Sequence, residues 1–209
     1  MREQKGFTLI ELAIVLVIIG IIIGAVLKGQ DLIESARIKR FDNSMREWET
    51  AVWTYVDRKG TFPGDTDGNG IIGDIGTENS AADYIRDAGF INEPDANPVT
   101  IGSLNFYVQF GNDGDLTAPK NVMAICGSAD CTTDALTADL IKYVESFDTV
   151  IDGVSNGANG SVVCADTITT VPAATGGDEY MVTDVNGGAN FTVCGAASHG
   201  LVYFFDRGN

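Results

Sequence analysis

The chain has 209 residues with 29 Asp and Glu against 13 Lys and Arg, a net charge of −16 that is unevenly placed. Residues 1–60 hold nine basic and eight acidic side chains, a balance of +1, whereas residues 61–209 hold four against twenty-one, a balance of −17. So acidic a C-terminal part repels nucleic-acid phosphates, and a single His with no phosphate-cradling glycine motif leaves neither a nucleophilic triad nor a nucleotide fingerprint on which to build an enzyme.

The chain opens with a short charged leader, residues 1–6, and runs through Phe7-Thr8-Leu9-Ile10-Glu11 into an unbroken apolar stretch over residues 12–27. Counted from Phe7 this is about twenty-one residues, enough to span roughly 30 Å of hydrocarbon as a helix. A secretory signal peptide places small residues for cleavage after its apolar core. Here Lys28, Gly29, Gln30 and Asp31 follow Leu27, and the peptide-like cut point, Gly6-Phe7, precedes the core. Gly20 and Gly24 form a small-xxx-small pair that permits close helix approach, and together with the β-branched Ile and Val residues they weaken the intrinsic helix. No proline occurs before Pro63, so any unwinding would rest on the glycines.

Lys5, Gly6 and Phe7-Thr8-Leu9-Ile10-Glu11 resemble the type III signal of the type IV pilin and pseudopilin superfamily, which includes the pseudopilins of type II secretion. The resemblance implies cleavage after Gly6 by a prepilin peptidase, N-methylation of Phe7, and a filament subunit assembled with copies of itself or related pilins by an assembly platform. It places the precursor in the inner membrane and the product in an extracellular or periplasmic filament. It also implies that Glu11 neutralises the Phe7 amine of an adjacent subunit. A carboxylate in a membrane-spanning helix costs a few kcal/mol and needs a partner by default; the alternative is a Glu near enough to the interface to stay wetted. A plain membrane anchor is the bland alternative to the whole signal.

Beyond Lys28, Ile38, Phe41, Met45, Trp48, Val52 and Tyr55 recur at three- and four-residue steps, the stripe of an amphipathic helix that Gly60 and Pro63 end. Taken from Phe7 to Lys59, a single helix would be about 80 Å long at 1.5 Å per residue. A loop follows in which Asp65, Asp67 and Asn69 alternate, Gly70 allows a sharp turn, and Ile71 offers a carbonyl. This is the first half of an EF-hand-type calcium loop. The match then fails, with Gly76 where the bidentate Glu belongs and Asp74 or Glu78 as substitutes only along another path; a metal-free turn is the other reading. Asp113-Gly-Asp115 and the stretch from Asp184 to Asn186 read as ordinary turns.

The remainder predicts an α+β head: a helix over 80–88 with Ser80 as N-cap and Gly89 as its stop, and a half-buried strand over 105–110. A strand over 122–126 and a helix over 133–146 follow, then strand-like runs at 161–167, 179–183, 191–194 and 201–205. The expected whole is the pilin fold, a long N-terminal helix packed on an antiparallel β-sheet head with long loops. Its expected parts are the leader (1–6), the transmembrane or filament-core helix (7–29), the amphipathic helix (30–60) and the acidic head (61–209). Four cysteines outside the membrane suggest disulfides with three possible pairings, of which the local one, Cys126–Cys131 with Cys164–Cys194, is preferred. Zinc is disfavoured because there is no C-x₂-C spacing and His199 is alone. Two functions of different class stay open: a filament subunit, and a monomeric membrane-tethered calcium- or ligand-binding domain that uses a pilin-type signal for export.

Overall fold

The computed structural model describes residues 6, 8–73, 80–90, 94, 96–115, 117–132, 136–155, 160–172, 180–185, 194–195 and 198–206. The chain divides into two units, residues 1–39 and 40–209. Helix α1 (Leu9–Lys59) contributes to both. The second unit adds α2 (Ala81–Asp87), β1 (Val99–Ile101), β2 (Leu104–Asn112), β3 (Asn121–Cys126), α3 (Ala138–Asp152), β4 (Val162–Ala165), β5 (Thr169–Pro172), β6 (Tyr180–Asp184) and β7 (Gly200–Tyr203).

In the first unit, α1 buries none of its large apolar side chains. Every Leu, Ile and Val from Leu9 to Ile33 is exposed, and an 18-residue window of the helix reaches a mean hydropathy of 3.0. A helix that is apolar all round is stable only where its surroundings are apolar too. The helix is long and apolar enough to cross a membrane, and no proline interrupts it. Polar chemistry returns at Lys28, with i,i+3 contacts of 3.9 Å from Lys28 to Asp31 and from Arg37 to Glu34.

The later turns of α1 bury Phe41, Met45, Trp48 and Val52, four members of the predicted stripe, while Tyr55 is half-buried against Phe90. The Phe41 ring lies 4.5 Å from Phe106, 5.7 Å from Tyr143 and 6.3 Å from Phe147, so one side chain joins α1, β2 and α3. Trp48 meets Phe110, and the Tyr203 hydroxyl donates to Glu49 at 3.1 Å. Gly60, at φ 81°, ends the helix in the left-handed conformation that glycine adopts without penalty.

The strands form one sheet in the order β4-β7-β3-β2-β6-β5, with β1 on β2. All pairs are antiparallel except β2 with β6, which is parallel and departs from the expected antiparallel pattern. One face carries Phe106, Phe110 and Tyr203 against the helices. The other carries Val122, Ala124, Cys126, Val163 and Val202 in a cluster with Cys131, Ile168 and Val185. Covering on both faces explains why the polar-apolar alternation expected along β2 stops after Val108. Gln109 is buried there and donates to the Ala129 carbonyl at 3.0 Å.

Two predicted elements keep their character and move their ends. Helix α2 has the Ser80 N-cap in a reciprocal capping box with Asp83 and turns at Gly89, φ 61°. Helix α3 starts later than 133 and runs past 146, because Thr137 caps it through the Leu140 amide and Gly153, in the left-handed region, stops it. Strands β1 and β5 are absent from the sequence reading, and residues 191–193 of the predicted run 191–194 lie outside the described residues.

Gly111 is the position where sequence most directly constrains the sheet. A Cβ there would lie 1.7 Å from the Val182 carbonyl oxygen, on the strand that pairs in parallel. Gly111→Ala should therefore separate β6 from β2 and destabilise the head by about 3 kcal/mol, the upper part of the usual overpacking range, read as a lower denaturation midpoint.

Asp42 yields a second prediction. It is buried on α1, its Oδ2 accepts from Ser146 of α3 at 3.2 Å, and its Oδ1 has no hydrogen-bond partner. Burial raises its carboxyl pKa above the ordinary 3.8, against smaller lowering by Ser146 and Arg46. A raised folded-state pKa gives stability that is complete below 3.8 and is lost as pH climbs through the raised value. Asp42→Asn should remove that fall, leaving melting temperatures that change less between acidic and neutral buffer than those of the wild type.

Candidate functional site

The N-terminal site is built by the first turn of α1. Thr8 precedes the helix, and its carbonyl accepts from Leu12 at 3.3 Å. Its backbone N–H and its hydroxyl both donate to Glu11 Oε2, at 2.9 and 2.7 Å, while the Glu11 N–H donates back to the Thr8 hydroxyl at 3.4 Å. Thr8 and Glu11 thus form a reciprocal capping box that satisfies amides left open at a helix start. The Thr-x-x-Glu spacing signals this arrangement in the sequence, beside the expected pairing of Glu11 with the Phe7 amine or its wetting at the interface. Gly6 is exposed, and Phe7 lies outside the described residues.

Behind this cap, Gly20, Gly24 and Gly29 have open space where a Cβ would stand. The helix surface there consists of unpartnered aliphatic side chains with shallow breaks at the glycines, suited to lipid or to another helix and not to water.

The acidic loop folds around its own carboxylates. Asp65 Oδ1 accepts from Gly68 and Asn69 N–H at 2.8 and 3.2 Å, and its Oδ2 accepts from Gly70 N–H at 2.9 Å. Asp67 accepts from the Asn69 backbone at 2.9 Å and from its Nδ2 at 3.0 Å, and Asn69 Oδ1 accepts from Ile71 N–H at 2.7 Å. The loop is tied to the sheet by Asn121, which is wholly buried. Its Oδ1 accepts from Ile72 N–H at 2.7 Å, and its Nδ2 donates to Gly70 O and Asp206 Oδ2 at 2.9 and 2.8 Å. No sequence pattern marks Asn121, since its partners are 49 to 85 residues away. Asp74, Gly76 and Glu78 lie outside the described residues, and among the described residues no group of three or more His, Cys, Asp or Glu is placed to hold a metal ion.

The neighbouring Asp113 and Asp115 stitch the β2–β3 turn. Asp113 accepts from Asp115 and Lys120 N–H, and Asp115 accepts from Thr117 and Ala118 N–H, bonds that lower its carboxyl pKa. Of the other turn, Asn186 lies outside the described residues.

The structure has the two local disulfides, Cys126–Cys131 and Cys164–Cys194. The first closes the end of β3, where the Thr170 hydroxyl donates to the Asp130 carbonyl at 2.6 Å. The second ties β4 to the C-terminal segment 30 residues on. His199 sits just before β7, with its N–H on the Ala165 carbonyl and Nδ1 beside the Asp166 carbonyl, so it is a strand-end residue.

Residues 1–27 match the family model described as the prokaryotic N-terminal methylation motif. No curated protein and no solved structure gives a match to the chain. The chain therefore carries the type IV pilin-like signal of a pilin- or pseudopilin-type precursor, and its apolar N-terminal helix fits a membrane-anchored one. Proteins with this signal are typically structural.

Proposed function

We propose that the protein is a structural subunit, pilin or pseudopilin, of a type IV pilus-like filament serving adhesion, motility or protein secretion. A prepilin peptidase cleaves the inner-membrane precursor after Gly6 and methylates Phe7, and an assembly platform moves the subunit into an extracellular or periplasmic filament of like or related pilins. The observation that carries this reading is the methylation motif leading directly into a helix whose Leu, Ile and Val side chains from Leu9 to Ile33 are all exposed. A lipid bilayer and a bundle of equivalent helices are the two surroundings that accept such a surface, and a subunit passes from the first to the second.

Glu11 links the two states. Before assembly, Thr8 supplies its carboxylate with two donors, which reduces the cost of a charge in apolar surroundings. On assembly the carboxylate pairs with the Phe7 amine of a neighbouring subunit. Glu11→Val should leave membrane insertion intact and remove the protein from sheared filaments, while Thr8→Ser, which keeps the hydroxyl, should assemble. Normal filament yield from Glu11→Val would contradict the pairing.

The acidic loop is proposed to bind calcium through Asp65, Asp67, Asn69 and the Ile71 carbonyl, with Asp74 completing the set. Its chemistry fits a hard cation, because every donor is an oxygen and carboxylate oxygens that already accept N–H bonds keep further lone pairs. With few ligands the affinity belongs in the range of about 10⁻⁴–10⁻³ M typical of extracellular modules. Calcium at ten times its dissociation constant should stabilise the head by about 1.4 kcal/mol, measured as a rise in melting temperature over chelator. Asp67→Ala should abolish that rise, and superimposable melts with and without calcium would retire the site.

A further inference from the structure

Asn69 and Gly70 form an Asn–Gly pair in an exposed loop, the sequence most open to attack by a backbone nitrogen on the preceding side-chain amide, because glycine offers no Cβ to hinder it. The reaction is complete with water alone. The Gly70 nitrogen loses its proton to hydroxide and bonds to Cγ of Asn69, ammonia leaves with a proton from water, and water opens the resulting succinimide to aspartate or isoaspartate.

The folded loop opposes each part of that step. The Gly70 N–H is committed to Asp65 Oδ2 at 2.9 Å, and its carbonyl is held by Asn121 Nδ2 at 2.9 Å. The electrophile is held as well, with Oδ1 of Asn69 accepting from Ile71 N–H at 2.7 Å and Nδ2 donating to Asp67 at 3.0 Å. Deprotonating the Gly70 amide would also set a new negative charge against the Asp65 carboxylate, which raises the pKa of that amide.

We propose that Asn69–Gly70 is a site of spontaneous deamidation that the folded acidic loop holds closed, with Asp65 as the residue that withholds the attacking Gly70 nitrogen. An isoaspartate at 69 inserts a methylene into the backbone next to the Gly70 carbonyl and the Ile72 amide, the two groups that Asn121 binds. Deamidation would therefore loosen the loop from β3, and Asp65 guards the tether in a subunit that must last.

The test is peptide mapping by mass spectrometry of the full-length chain in detergent, incubated with chelator in mildly alkaline buffer, with acid and isoaspartate at position 69 quantified over time. Wild type in native buffer should deamidate at least about tenfold more slowly than in denaturant, the ratio expected for losing one hydrogen bond to a charged group. Asp65→Ala should recover most of that factor, and Asp65→Asn, which keeps an acceptor oxygen, should fall between. Equal wild-type rates in native buffer and in denaturant would overturn the proposal whatever the variants do. So would a folded Asp65→Ala chain that deamidates no faster than wild type; a slower one would make Asp65 the base that promotes the attack.

Discussion

A helix with sixteen unburied aliphatic residues between Leu9 and Ile33 cannot stand in water, and that constraint organises what the molecule does. At about 25 cal/mol per Å² of apolar surface, removing such a stretch from water is strongly favourable. Such a surface fits lipid or other helices. Glu11 is the one ionisable residue between Thr8 and Leu27. Its carboxylate is neither stranded nor neutralised by a cation within the described residues; Thr8 holds it through a capping box that also starts the helix. The same two oxygens remain able to accept from an amine, so the group that makes the helix costly in lipid is also the group that can choose a partner.

Farther along, α1 meets a different demand. From Phe41 to Val52 it presents one apolar face to a sheet, and the aromatic contacts of Phe41 and Trp48 bring β2 and α3 onto that face. The second face of the sheet is closed by the small cluster around Cys126, Cys131 and Val202, which includes the Cys126–Cys131 disulfide. In the loops that follow, Asp65, Asp113 and Asp115 serve backbone amides. Part of the strongly negative charge of this region thus organises turns.

What the sequence made legible followed from local rules. The apolar run, the stripe through Phe41, Met45, Trp48 and Val52, the Ser80 cap and the stops at Gly60 and Gly89 each depend on neighbours within a turn or two. The N-terminal signal was readable for the same reason. The parallel pairing of β6 with β2 was not, since it depends on Gly111 and Val182 meeting across 71 positions of chain. Asn121 was invisible on the same grounds, and β1 and β5 are too short to show a period of their own. The start of helix α3 was placed too early because Leu136, which precedes the Thr137 cap, falls in helical spacing with Leu140. Thr8 was missed despite a local signature, because Glu11 invited a search for a cation and not for a hydroxyl three residues away.

The central claim is that the leader is removed and the exposed apolar helix becomes the N-terminus of the working subunit. Mass spectrometry of the N-terminal peptide, from cells that make a prepilin peptidase, tests it most directly. The account predicts a peptide that begins at Phe7 and carries one added methyl on its amine. A protein that keeps Met1 and the leader intact in those cells would contradict it.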